Sequence, residues 1–437
     1  MSSKRQKSST VRVILSDEAK EQEQLALLKC EEARKKWIDS THLDELEDVI
    51  SMYRDALNAK KTIETKARKG QNSSKKRKSV KKDLVALSPK DYKKTGERLS
   101  LLYLQLNQPS KAQKGLEMLG FKCRLADSVL NYPMPKSTTS ISKRKKQNKK
   151  AMQAPCAVLD NFLTNTELEH LQEVFVDRDA DYWTLHDYQI EPPSPYFSFV
   201  IKISPNKPTH AKFGFLGKLV DKMKTCPHLL AKFPDIKKCK FVELWAHNRP
   251  HASGHQLHFD SDDEGNDGVR NPVISTILYL SDCPNIGGPS LITNQRLDST
   301  QLASKGWLVH SQPKRLVAFD GKVLHGVVPG KGVPPIDECT GETPNRRVTL
   351  MMAFWKEIQI RDGDGPGSAR PWPKTKSKHT PSWAKQLTCQ TVQVKHDYKS
   401  CQAVDGIEID HVYEHLNGRC WEEDNPMPEY DDIFQGF

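Results

Sequence analysis

The sequence has no stretch approaching the roughly 20 consecutive apolar residues that a membrane-spanning helix needs, so a soluble protein is expected. None of its ten cysteines forms a Cys-x-x-Cys pair, which argues against a zinc knuckle or a disulfide framework. Met1-Ser2-Ser3-Lys4-Arg5 is not followed by the apolar segment of a secretory leader. A reducing compartment follows as the expectation, nucleus ahead of cytoplasm, because basic runs such as Lys75-Lys76-Arg77-Lys78 look like import signals. The basicity belongs to the N-terminal third. Residues 1–150 carry 36 Lys and Arg against 18 Asp and Glu, net +18, which leaves 31 against 37, net −6, for the remainder. With 36% hydrophobic residues over 437 positions, there is still ample material for a large core.

What is present divides along the chain. Residues 1–70 are rich in Glu, Lys, Ala and Leu, with Leu43, Leu46, Ile50 and Tyr53 at helical spacing. A basic linker is expected over 71–90. Residues 91–132 hold two amphipathic patterns, Leu99, Leu102, Tyr103, Leu106 and then Ala112, Leu116, Leu119, split by Asn107-Gln108-Pro109-Ser110. They resemble one tetratricopeptide helix pair without a second copy. A second basic linker, 133–153, contains Lys143-Arg144-Lys145-Lys146. Over 154–361 strand-like runs recur at 197–203, 240–246, 273–280, 307–310, 316–319 and 348–354, between Gly, Pro and Asp turns. One helix is expected to start after Thr164, where Glu167 stands at capping-box spacing, and a longer one over Phe213–Lys224. After Ile360 the pattern lapses, and 362–437 reads as an irregular or docked tail with an acidic end.

The chemistry gathers around Gln256-Leu257-His258-Phe259-Asp260. On a strand, positions i and i+2 leave one face about 6.5 to 7 Å apart, so His258 and Asp260 are able to share a metal. Two imidazoles and one carboxylate on one side of an octahedral ion make a non-heme Fe(II) face with open positions opposite.

The ordered series Val158-Leu159-Asp160-Asn161-Phe162-Leu163, His258-Phe259-Asp260, Thr276-Ile277-Leu278-Tyr279-Leu280, Gly287-Gly288, Phe319-Asp320, His325 and Arg347-Val348-Thr349 resembles the 2-oxoglutarate and Fe(II)-dependent oxygenases. Within that superfamily it is most similar to the prolyl 4-hydroxylase-like branch. The resemblance implies an α+β chain in which a double-stranded β-helix, or jelly roll, follows the N-terminal helical region. It also implies His258, Asp260 and His325 as metal ligands, and Arg347, with Thr349 and Tyr279, as contacts to the distal carboxylate of 2-oxoglutarate. Fe(II) and 2-oxoglutarate would then be needed, with ascorbate as a candidate reductant and succinate and carbon dioxide as co-products.

Arg346 competes with Arg347, but strand alternation lets only one face inward, and the Arg-x-Thr spacing favours Arg347. Two departures from the family stand out: the long segment Lys331–Asn345 and the acidic loop Ser261–Gly268. That loop is no EF-hand, because the twelfth position from Asp260 is Asn271 rather than Glu. His247, His251 and His255 read as cleft or surface histidines, since Pro250 and Gly254 break the helix that zinc ligation at i, i+4 would use. The expected activity is hydroxylation of a protein side chain, with proline the leading target and a protein substrate as partner. The competing readings are oxidative demethylation of nucleic acid bound through the basic N-terminal region, and an inactive basic adaptor. Against demethylation, Val348–Phe354 lacks the second arginine of nucleic-acid demethylases.

Overall fold

The structure is a computed structural model, and it describes residues 24–25, 28–30, 32–33, 36, 47–58, 89–133, 154–176, 180–188, 196–204, 207–249, 254–262, 269–281, 288–330, 347–361, 367–374, 379–396, 398–416 and 430–436. Residues 71–88 and 134–153 of the two basic linkers and most of the acidic loop fall outside these residues, as do Gly287, Lys331–Asn345 and Arg346. No helix among the described residues is long and apolar enough to cross a membrane.

The chain divides into two units, Met1–Lys122 with Gly436, and Cys123–Gln435 with Phe437. In the first, residues 47–58 are helical, with Ile50 and Tyr53 buried as their spacing predicts. Helices Pro89–Gln105 and Pro109–Met118 form the expected antiparallel-type pair. The turn between them uses Asn107 at φ 57°, a left-handed conformation that asparagine tolerates, and Pro109 at the first helical turn, where a missing N–H costs nothing. The division falls at Lys122/Cys123, within the region 91–132 read as a helical pair. Cys123–Leu125 is a strand that pairs with strands from the C-terminal end of the chain.

Strands of the second unit are β1 (Cys123–Leu125), β2 (Cys156–Asp160), β3 (Phe197–Lys202), β4 (Phe241–Arg249), β5 (His255–His258), β6 (Ile274–Tyr279), β7 (Ser290–Arg296), β8 (Lys305–Val309), β9 (Leu316–Asp320), β10 (Val323–Val327), β11 (Arg347–Trp355), β12 (Gly367–Pro371), β13 (Gln402–Val404), β14 (Ile407–Asp410), β15 (Tyr413–His415) and β16 (Ile433–Phe434). They form an eight-stranded sheet, β12-β3-β4-β11-β6-β9-β2-β13, a five-stranded sheet, β14-β8-β7-β10-β5, and a small sheet, β15-β1-β16. The result is a mixed α/β unit dominated by large sheets.

Strand β11 shows how the core is organised. Every residue from Arg347 to Trp355 is buried, so the run is almost continuously apolar, as befits a strand covered on both faces. Val348, Leu350, Met352 and Phe354 join one apolar cluster with the helices, while Met351, Ala353 and Trp355 join a second with Trp245, Ile277, Ile292 and Phe319. Arg347 and Thr349 share the parity of the second set, so they point between the sheets.

Helix Asn165–Phe175 begins with the anticipated capping box, Thr164 and Glu167 exchanging side-chain and backbone hydrogen bonds. Glu167 is fully buried and also receives Lys222 Nζ at 2.7 Å. The helix expected over Phe213–Lys224 spans His210–Thr225 with a break at Phe213 and Gly214. There Phe215 N turns to donate to Cys389 O at 2.8 Å.

Expectation and structure part company most over the tail. Beyond the expected end of the catalytic region at 361, β12 extends the large sheet beside β3, β13 extends its other edge beside β2, and β14 extends the smaller sheet beside β8. These strands are three to five residues long. Too few positions alternate for a sequence pattern to emerge.

Candidate metal centre and anion pocket

His258 closes β5, and its register partner on β10 is His325. Between His325 and Val327 the partner strand advances from His258 to His255, so β5 carries one extra residue there, a bulge. The bulge turns the Gln256 carbonyl toward the His258 ring. Gly326 permits the close approach, since a Cβ at that position would sit 2.7 Å from the His255 carbonyl oxygen. Asp260 lies two residues beyond the strand end, so alternation alone does not place it. Its carbonyl accepts from Asn271 Nδ2 at 2.7 Å, and its Oδ2 accepts from Ser275 Oγ at 2.5 Å.

The outcome is convergence. Asp260 Oδ1 is 3.6 Å from His258 Nε2 and 3.6 Å from His325 Nε2, and the two ring centroids are 4.4 Å apart. One ligand atom from each residue lies within 4.8 Å of the others, and among the described residues no other group of three does this.

Both rings are fixed in the tautomer a metal requires. His258 Nδ1 lies 2.8 Å from the Gln256 carbonyl oxygen and His325 Nδ1 lies 3.0 Å from that of Val323, so each Nδ1 carries the proton and donates. Neutral His325 then presents an Nε2 lone pair toward Asp260, and His258 Nε2 does the same once its proton is displaced. His325 Nε2 is buried without a hydrogen-bond partner, an arrangement that costs free energy unless something occupies it.

The electrostatics agree. Burial pushes the His325 imidazole down to about 4 and keeps it neutral. For Asp260, burial alone would raise the carboxyl, but His325, His258 and the Ser275 hydroxyl outweigh it and hold the group well below the usual carboxylate range. For His258, burial would lower the imidazole, yet the Asp260 carboxylate overcomes this and leaves it raised. Two neutral-capable nitrogens and one ionised oxygen form a donor set that suits Fe(II).

A cavity runs from this centre to the start of β11, lined by His258, His325, His247, Thr349 and Arg347. Arg347 is 5% exposed, and its Nη2 donates to Ser290 Oγ at 2.8 Å. Its guanidinium carbon lies 5.3 Å above the Tyr279 ring, and its Nε is buried without an acceptor. Among the described residues no carboxylate pairs with it. A buried cation lacking a counter-charge is costly, so the cavity end is suited to an anion. Thr349 is the register partner of both Tyr279 and His247, which places all three around the same end.

All six residues singled out in the sequence therefore meet: His258, Asp260 and His325 at one end, with Arg347, Thr349 and Tyr279 at the other. His325 sits within a strand, not merely beside a turn. Ser275 and Ser290 carry no signal in the sequence, because a serine in an apolar strand adds nothing to its periodicity. A second, wider cleft opens on the metal side, walled by Tyr188, Tyr196, Phe197 and Trp245 and floored by His258 and Asp260. His247 and His255 line both spaces.

No family model matches the sequence, and no curated protein matches it. Solved structures align with parts of the chain at low TM-scores. A prolyl-4-hydroxylase from Pseudomonas putida aligns at 22% identity and TM-score 0.19 over 30% of this chain, spanning only 57% of the bacterial one. HygX from Streptomyces hygroscopicus, solved with nickel and 2-oxoglutarate, aligns at 11% identity and TM-score 0.28 over 50% of this chain and 90% of its own. SnoK, a non-heme alpha-ketoglutarate-dependent carbocyclase from nogalamycin biosynthesis, aligns at 8% identity and TM-score 0.31 over 51% and 93%. At such TM-scores the likeness carries no weight for function, which must be argued from the side chains themselves.

Proposed function

We propose that the second unit is an Fe(II)- and 2-oxoglutarate-dependent dioxygenase with a double-stranded β-helix core, hydroxylating a protein side chain, proline foremost. The observation that carries this is a cavity that reaches both histidines of a two-histidine, one-carboxylate cluster at one end and a buried, uncompensated arginine at the other. A keto acid with a second carboxylate has the shape to bridge them. When bound, iron and 2-oxoglutarate supply oxidative decarboxylation to succinate and carbon dioxide, coupled to oxygen insertion into a substrate C–H bond.

The protein's own residues do the positioning. His258, Asp260 and His325 would hold the metal from one side, with Ser275 and two backbone carbonyls fixing their orientation. Arg347 would pair with the distal carboxylate through parallel N–H donors, and Thr349 would add a hydroxyl. The aromatic walls of the outer cleft exclude water and offer flat apolar faces to a ring such as that of proline. No lysine or arginine lines that cleft among the described residues, which favours an uncharged side chain over a phosphate-bearing substrate.

The test is anaerobic reconstitution with Fe(II), then oxygen, 2-oxoglutarate and lysate proteins. Succinate should form and a 16 Da gain should appear on captured peptides, with both absent for His258→Ala. Iron uptake near zero in the wild-type protein would overturn the proposal.

A further inference from the structure

Arg347 is held by a hydroxyl network that neither the sequence pattern nor the ligand set accounts for. Ser290 opens β7, is 1% exposed, and is the register partner of Val309 on β8 and Val327 on β10. The turn that delivers it is pressed against the end of β10. A Cβ on Gly288 would lie 1.8 Å from the Val328 carbonyl oxygen, and Val328 N donates to Pro289 O at 3.0 Å. Ser290 is thus fixed by backbone, not by its own packing.

Its hydroxyl has one proton and two acceptor positions. Arg347 Nη2 donates to it at 2.8 Å, and Tyr279 Oη lies 2.8 Å away. The other acceptor near Tyr279, the Val309 carbonyl, is 3.5 Å distant, too long for a strong bond. The better arrangement has Tyr279 donating to Ser290, so both lone pairs of Ser290 are taken. The Tyr279 ring lies beneath the same guanidinium. One serine therefore ties together the hydroxyl and the cation, which fixes the guanidinium in rotation while its Nε stays without an acceptor.

We infer that Ser290 is the positioning residue for the anion-binding arginine, and that it sets the preference for 2-oxo acids bearing a distal carboxylate over those without one. This rests on the proposed keto-acid pocket. The test measures binding of 2-oxoglutarate and of 2-oxobutyrate, which lacks that carboxylate, to the full chain loaded with Mn(II) in place of iron. Ser290→Ala should weaken 2-oxoglutarate about tenfold, the scale of one hydrogen bond to a charged group, and leave 2-oxobutyrate and Mn(II) affinity within twofold of wild type. Ser290→Thr, which keeps the hydroxyl, should restore most of the loss. A merely structural serine would weaken both acids alike, and that result overturns the inference. If Arg347→Ala abolishes the preference while Ser290→Ala keeps it, Ser290 is not the positioning residue but the pocket stands. If neither variant changes it, the pocket reading falls as well.

Discussion

At the scale of single residues, the metal centre depends on opposite treatment of two histidines that share one carboxylate. His325 is driven down to about 4 by burial, whereas the Asp260 carboxylate raises His258 above an ordinary imidazole. In the metal-free protein the sign is therefore split. Charged His258 contributes stability that is fully present below its unfolded pKa and disappears as pH rises through the raised folded value, while neutral His325 contributes stability that is lost as pH falls from the unfolded value toward 4. Metal binding displaces the proton on His258 alone over most of that window. The expected result is that log affinity for Mn(II) falls by about one per pH unit below the His258 pKa and steepens toward two only near pH 4. Titrations at stepped pH, or proton release measured by calorimetry in two buffers, would check this. A slope of two from the outset would mean that the two rings titrate alike.

Between residue and fold stand the strand pairs, and here small side chains decide distances. Gly326 lets β5 lie against β10 beside His258 and His325. Gly326→Ala should force the strands apart by enough to spread His258 from His325, weakening metal binding at least tenfold while costing about 1–3 kcal/mol of stability by overpacking. Metal titration and thermal melting on the same sample would show whether both change. Elsewhere Lys222→Met should cost about 3–5 kcal/mol, because it strands the fully buried Glu167 carboxylate, and a denaturant melt reads that loss. The same scale explains what the sequence disclosed. Alternation in β11 put Arg347 and Thr349 on one face because long buried strands repeat at period two. The helix cap at Thr164 was legible because its chemistry is local. Strand β7 was not, since Thr293, Asn294 and Gln295 interrupt its apolar run, and with it went Ser290. Asp260 was recognised for its spacing, although what holds it is Ser275 and Asn271, distant partners that no short motif contains.

For the whole molecule, the C-terminal residues matter more than their composition suggests. Strands β12 and β13 cover both edges of the eight-stranded sheet, and β14 covers one edge of the five-stranded sheet. Tyr398 and Trp383 add aromatic surface against the helices, with Trp383 1% exposed and its backbone N–H bound to Asp181. A sheet stripped of these strands would present unpaired N–H and C=O groups along β3, β2 and β8, the geometry that promotes edge-to-edge association. A chain ending at Arg361 retains every proposed ligand, from His258 to Thr349, yet should be insoluble or oligomeric. Restoring residues 362–416 should return the unit to a cooperative melt. If the shortened chain stays monomeric in light scattering and still binds Mn(II) with wild-type affinity, the metal centre is independent of the outer strands, and their role lies outside the fold of the site.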